Sequence, residues 1–391
     1  MSDVIVAGVG MTPWSKDGRP FVEDGVAAAR DALDDAGVSW GDVQYVAGAA
    51  TVRNGYAGYV AGAAVAEALG WNGAEVSTSY GACASGTQAI VAARSRILAG
   101  ECDIALVVGA DTTPKGFLAP NAGDRPDDPD WLRFRLVGMT NPAYFGLSAR
   151  RRIELFGATP RDFAAVKVKN SRCGALNPRA RFRSEVSVGD VEASPMVADP
   201  LRLLDICATS DGGAALVLMS RERAAALGVD LVEVRAAVTV SPEFPNTTLE
   251  MPDFASSGGA PLEESFMDSI PRRALRAAGL EAADVSVAEV YDLSTALELD
   301  WYEHIGLCGQ GEAEGLLRDG VTAIGGRVPV NPSGGLASFG EAVPAQAIAQ
   351  VCELTWQLRG QCGPRQVEGA TVGISANKGL FGHGSSVVLV R

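Results

Sequence analysis

Ala32-Leu33-Asp34-Asp35-Ala36-Gly37-Val38-Ser39-Trp40-Gly41-Asp42-Val43 returns late in the chain as Ala274-Leu275-Arg276-Ala277-Ala278-Gly279-Leu280-Glu281-Ala282-Ala283-Asp284-Val285, with six of the twelve pairs identical. Each copy reads as a helix closed by glycine, then a short turn into a Val-rich strand, one unit of an alternating helix and sheet fold. A second correspondence keeps the same order. Gln88-Ala89-Ile90 opens a helix running to Gly100, and Gln346-Ala347-Ile348 opens another running to Gly360. Apolar segments follow both, Asp103 to Ala110 and Ala370 to Ala376, and read as buried parallel strands. The spacing therefore predicts an α/β chain of two pseudo-symmetric layered halves, residues 1–228 and 229–391. In this register Cys83 and Glu341 stand at equivalent places, five residues before the paired Gln-Ala-Ile.

Within the first half, the stretch from about 116 to 200 is rich in Pro, Asp and Arg, including Asp124-Arg125-Pro126-Asp127-Asp128-Pro129-Asp130. It reads as an inserted loop domain with helices over Ala143–Phe156 and Pro160–Asn170. Its clustered arginines (Arg133, Arg135, Arg150, Arg151, Arg152) are candidates for binding contacts.

Composition narrows the function. The 391 residues are 47% hydrophobic and 20% charged, enough for a large core. No apolar run approaches the ~20 residues that cross a bilayer. The N-terminal Val4-Ile5-Val6-Ala7-Gly8-Val9-Gly10 reads as a buried strand entering a turn, not a secretion signal, so a cytoplasmic location is expected. A net charge of −14 argues against nucleic-acid and anionic-membrane partners. Seven cysteines at irregular spacing suggest neither a metal site nor a disulfide framework.

One cysteine stands apart. Gly81-Ala82-Cys83-Ala84-Ser85-Gly86 sets a thiol among small residues where a helix begins. Free amides and the positive helix end there would favour the thiolate and lower its pKa from the usual ~8.5. Cysteine is also among the commonest buried packing residues, so the turn alone leaves both roles open.

The Cys83-Ala84-Ser85-Gly86 turn, Ser210-Asp211-Gly212-Gly213-Ala214-Ala215 and Asn331-Pro332-Ser333-Gly334-Gly335 resemble, in order, the landmarks of the thiolase superfamily. Val166-Lys167-Val168-Lys169-Asn170 and Ala175-Leu176-Asn177-Pro178 resemble its sterol-carrier or lipid-transfer branch, a group that includes acetyl-CoA acetyltransferase-like enzymes and steroid side-chain CoA aldolases. The resemblance implies a thiolase fold with layers αβαβα, an acyl-CoA substrate with coenzyme A as part of it and no separately bound cofactor, and a homodimer. It places the dimer seam on an edge strand after Cys102. It further implies a small OB-fold partner that completes the acyl-CoA site.

Cys83 alone matches the family's catalytic pattern. At the oxyanion motif the chain reads Tyr291-Asp292-Leu293-Ser294; at Gly-His-Pro it reads Gly340-Glu341-Ala342; at the second cysteine it reads Asn377-Lys378-Gly379. The family places the Gly379-Leu380-Phe381-Gly382-His383-Gly384 loop beside the active centre. The resemblance thus singles out Cys83, Tyr291, Glu341 and His383 for catalysis, and Asp292, Asn377 and Gly382 for substrate binding; His304 reads as structural. A carboxylate base and a phenol suit retro-aldol cleavage of a steroid or branched side-chain β-hydroxyacyl-CoA, which needs no acyl-cysteine. Thiolysis through Cys83 is the alternative, and a noncatalytic lipid-binding scaffold is the alternative of another class.

Overall fold

A computed structural model describes residues 3–50, 60–113, 141–243, 264–379 and 382–391. Arg133, Arg135 and the Asp124–Asp130 stretch lie outside them, as do Leu380 and Phe381.

The first half opens with β1 (Val4–Met11), α1 (Phe21–Ala36), β2 (Tyr45–Ala49), α2 (Ala61–Leu69), β3 (Glu75–Ser79), α3 (Ser85–Leu98) and β4 (Ile104–Thr112). The insertion supplies α4 (Asn141–Phe156), α5 (Pro160–Leu176), α6 (Val188–Ala193) and a ribbon of β5 (Met196–Ala198) and β6 (Leu201–Arg202). Then come β7 (Asp211–Ser220), α7 (Arg221–Leu227) and β8 (Val232–Val240). The second half continues with α8 (Phe266–Ala278), β9 (Val287–Val290), α9 (Thr295–Ile305), α10 (Ala313–Arg318), α11 (Gly335–Phe339), α12 (Val343–Arg359), β10 (Val372–Gly379) and β11 (His383–Val390).

The repeated segments occupy matching places. α1 and α8 both stop at a left-handed glycine, Gly37 and Gly279, whose amides cap the last turn. The strands form one mixed sheet in the order β3-β2-β4-β7-β1-β8-β11-β10-β9. β2-β4-β7-β1 is thus mirrored by β8-β11-β10-β9 across the centre. In each half the outer pair is parallel and the inner pairs are antiparallel. The halves are not separate sheets: Ile5 pairs with Glu233 and Val6 with Val232, joining them edge to edge.

Helices fill the layers between and outside. α1 packs on β1, β4 and β7, because Gly8 and Gly10 present no side chain where the backbone of α1 crosses. α3 and α12 pack against each other, and each reaches strands of both halves. α8 covers the far face of β8 and β11. Three apolar clusters mark these interfaces, the middle one built from α3, α12 and strands of both halves.

Two expectations change. β4, the strand after Cys102, is paired on both sides, by β2 and β7, so it offers no edge for a dimer seam; among the described residues the edge strand of this half is β3. Two of the insertion's five arginines, Arg150 and Arg152, are spent on carboxylates rather than free for binding contacts. Arg152 is 2% exposed and bonds Asp300, Glu303 and Glu314 at 2.7, 2.6 and 2.8 Å, locking α4 to α9 and α10, while Arg150 pairs with Asp199. Among the described residues no helix is long and apolar enough to cross a membrane.

Candidate active site

β3 runs into a tight turn before α3. Ala82 adopts a left-handed φ of 48°, the amides of Ala84 and Ser85 bond back to the Gly81 and Ala82 carbonyls, and the Ser85 hydroxyl donates to Ala82 O at 2.6 Å. This holds Cys83 two residues ahead of the helix, pointing inward.

Three other elements converge there. Tyr291 directly follows β9; its amide bonds the Ala376 carbonyl of β10 and its carbonyl accepts from Trp301 Nε1 at 3.0 Å. Glu341 follows α11. It is stitched to the strand-like segment at Thr209: its amide donates to Ala208 O at 2.7 Å, and its carbonyl accepts from Ser210 N at 2.9 Å. β10 ends at Gly379, where a Cβ would stand 2.8 Å from the Cys83 nitrogen, so only glycine lets this strand pass behind the turn.

The structure thereby brings Cys83, Tyr291 and Glu341 into one buried trio. Cys83 Sγ lies 3.6 Å from Glu341 Oε1, and the Tyr291 hydroxyl can donate to the sulfur across 2.6 Å or to Glu341 Oε1. Burial governs their protonation. It pushes the Cys83 thiol well up, with the Glu341 charge adding to the effect, and it pushes the Tyr291 phenol well up too. Glu341 is also raised by burial, against which its hydrogen bonds from Tyr291 and Cys83 act. The lowered thiol pKa read from the helix start is therefore corrected. The turn spends its nearest amides on its own carbonyls, and a buried carboxylate faces the sulfur.

The remaining sequence candidates fall around this trio. Asp292 is buried and accepts from Leu336 N at 2.7 Å, Ala337 N at 3.1 Å and Asn170 Nδ2 at 3.1 Å, so both carboxylate oxygens hold the start of α11. Burial and the Glu298 charge push its pKa up to about 8. Asn377 is buried on β10, donating to Gln350 Oε1 at 2.7 Å. Gly382 is buried with φ 77°. His383, half-buried, opens β11 opposite Gly379, and burial lowers its pKa. It is thus one cross-strand pair from the residue that backs Cys83. His304 pairs with Asp268 of α8 at 3.0 Å and stacks edge-on against Trp301, the residue that bonds the Tyr291 carbonyl.

The other two landmark motifs prove to be buried scaffolding. Asp211 accepts from Lys16 Nζ, Gly18 N and Thr113 N; Asn331 bonds Glu298; Ser333 bonds Glu289. Two residues near the trio carried no chemical signal in the sequence. Cys207, on the segment beside Glu341, feels the charges of Glu341, Asp292 and Cys83, and burial pushes its thiol well up. Gln346 lies in the first turn of α12; the Gln-Ala-Ile repeat marked it, but only as a register point. Among the described residues no group of His, Cys, Asp and Glu could hold a metal ion.

Residues 4–222 match the thiolase N-terminal domain, and residues 261–391 match the thiolase C-terminal domain-like family. Sterol carrier protein 2 of Oryctolagus cuniculus is 32% identical over 397 residues, covering 97% of this chain and 70% of the relative. An acetyl-CoA acetyltransferase of Methanothermobacter thermautotrophicus is 32% identical over 396 residues, covering 99% of each. Among solved structures, the Ltp2-ChsH2(DUF35) aldolase superposes with a TM-score of 0.82 at 26% identity, covering 100% of this chain and 98% of its own.

Proposed function

The chain belongs to the thiolase family and is an acyl-CoA acyltransferase or aldolase; from that premise we propose that it cleaves a carbon-carbon bond by retro-aldol chemistry in a β-hydroxyacyl-CoA with a steroid or branched side chain. One observation carries this reading: the buried group facing Cys83 and Tyr291 is the carboxylate Glu341, and no histidine is hydrogen-bonded to the trio among the described residues. Glu341 takes the β-hydroxyl proton. The Cα–Cβ bond then breaks, leaving a carbonyl product and a thioester enolate. Tyr291 protonates the enolate at Cα and recovers its proton from Glu341, to which its hydroxyl is bonded. Protons balance within the trio, and no free coenzyme A is consumed.

In this scheme His383 and Gly382 border the substrate at the start of β11, while Asp292 and Asn377 fix the walls of the site. The two-component name of the aldolase relative supports a small OB-fold partner for this chain as well. The exposed edge of β3 supports a homodimer paired along it.

Thiolysis is the second reading, favoured by the retention of Cys83 in a constrained turn at the head of α3. Incubating the protein with a β-hydroxyacyl-CoA and a β-ketoacyl-CoA, each with and without free coenzyme A, separates the two. Retro-aldol cleavage gives a carbonyl product from the hydroxy substrate without added coenzyme A. Turnover of the keto substrate alone, dependent on free coenzyme A, would replace it with thiolysis.

A further inference from the structure

Ser210 opens the Ser210-Asp211-Gly212-Gly213 landmark, yet the cleavage scheme leaves it idle. It is fully buried and grips the chain on both sides of one glycine. Its hydroxyl donates to the Phe339 carbonyl at 2.6 Å, at the end of α11, and its amide donates to the Glu341 carbonyl at 2.9 Å. Between them Gly340 has φ 76° and ψ −179°, a region open in practice to glycine alone, so the flanking peptides can swing unless something holds them. A Cβ at this position would overlap the Ser210 hydroxyl and stand 2.7 Å from the Ala208 oxygen. The serine thus fills the space that the glycine leaves, and fixes the direction in which Glu341 departs from α11.

The insertion holds the serine in turn. Arg181, in the segment after α5, donates from Nη1 to Thr209 O at 2.5 Å and to Ser210 Oγ at 3.2 Å, and its guanidinium lies 4.6 Å from the centre of the Phe182 ring. With Arg181 donating to its oxygen, the Ser210 hydroxyl keeps its own hydrogen for Phe339 O. The Phe182 amide bonds Ser338 O at 2.8 Å, so two adjacent residues of the insertion reach both α11 and the Thr209 segment paired with Glu341.

We propose that Ser210 and Arg181 are positioning residues that hold the Glu341 carboxylate against Cys83 and Tyr291. Clamping the carbonyls before and after Gly340 fixes the Glu341 backbone, and with it the 3.6 Å approach of Oε1 to the Cys83 sulfur. The catalytic weight of this clamp rests on the reading in which Glu341 is the base, because proton transfer needs the carboxylate within hydrogen-bond reach. Arg181 spent in this way acts on kcat, whereas a guanidinium that met a phosphate of the substrate would act on KM.

The first measurement needs no substrate. Cys83 alkylation by iodoacetamide is followed across pH in the full-length protein, reading the Cys83 peptide by mass spectrometry; the midpoint reports the thiolate and the plateau rate reports access. A carboxylate held beside the sulfur disfavours the thiolate, so one that swings away lets the midpoint fall. Ser210→Ala is expected to lower the midpoint by about one pH unit, and to shift nothing in a Glu341→Gln background, where the group it acts through is gone. Arg181→Met keeps the stem on Phe182 and removes both bonds; it is expected to move the midpoint the same way by less, and it carries the test if Ser210→Ala fails to fold. Parent midpoints in both folded variants, or a Ser210→Ala shift just as large without Glu341, would overturn the proposal. Steady-state cleavage is the second measurement: Ser210→Ala is expected to lower kcat about tenfold with KM unchanged. A midpoint shift with a parent-like kcat would leave the clamp standing and remove Glu341 as the base, so the two readings fail separately. A raised KM at unchanged kcat in Arg181→Met would overturn the part given to Arg181.

Discussion

Glu341 decides the chemistry at the scale of single residues, since it alone in the trio is a carboxyl, and burial raises rather than lowers its proton affinity. A base must be ionised to act, so the acidic limb of the rate profile should lie above the ~4.3 of an ordinary glutamate. Stopped-flow rates across pH check this, and a limb at the ordinary carboxylate position would exclude Glu341 as the base. Glu341→Gln keeps the shape but cannot take a proton; under single-turnover conditions it should lower the chemical step by ~100-fold or more. Cys83→Ser should be milder under retro-aldol chemistry. A dead cysteine variant beside a nearly normal Glu341→Gln would instead establish a covalent route. Gly379 sets a steric rather than a chemical condition. Its missing Cβ leaves 2.8 Å to the Cys83 nitrogen, so Gly379→Ala should displace the turn and cut turnover while circular dichroism shows an intact fold.

Among elements, the joint between the insertion and the second half rests on one cation. Arg152 of α4 reaches Asp300 and Glu303 of α9 and Glu314 of α10, all largely buried. Removing one partner of such a network strands the others without compensation, a loss of about 3–5 kcal/mol. Arg152→Met should therefore lower stability to urea by roughly that amount near neutral pH. A parent-like urea midpoint in folded Arg152→Met would show that the network adds no net stability. The same reasoning explains why Arg152 is not the binding contact its place in the arginine cluster suggested: sequence shows its charge but not the three carboxylates that consume it.

For the whole molecule, the sheet has a margin at β3, unpaired on its outer side among the described residues and directly before the Cys83 turn. Glu75 N bonds the Gln44 carbonyl and Ser79 O accepts from Ala50 N, so residues 75, 77 and 79 face β2, while Val76 and Thr78 turn their backbone groups outward. Val76→Pro deletes an outward N–H without touching the inner ladder. If two copies pair along β3, sedimentation should find a dimer for the parent and a weakened one for Val76→Pro; a monomeric parent would refute the pairing. The sequence by itself determined the alternating architecture, because glycine-stopped helices, Val-rich strands and the Gln-Ala-Ile repeat are local patterns that each copy carries in full. It also marked Cys83 and Glu341 as equivalent, since their distance from that repeat is a count along the chain. What the tertiary structure alone decided is everything that depends on neighbours brought from afar: the raised thiol, the Tyr291 hydroxyl between sulfur and carboxylate, the Ser210 bonds on either side of Gly340, and the interior place of β4. Protonation and hydrogen bonding in a buried site are set by what surrounds a group in space, and no local pattern records which distant segments will close around it.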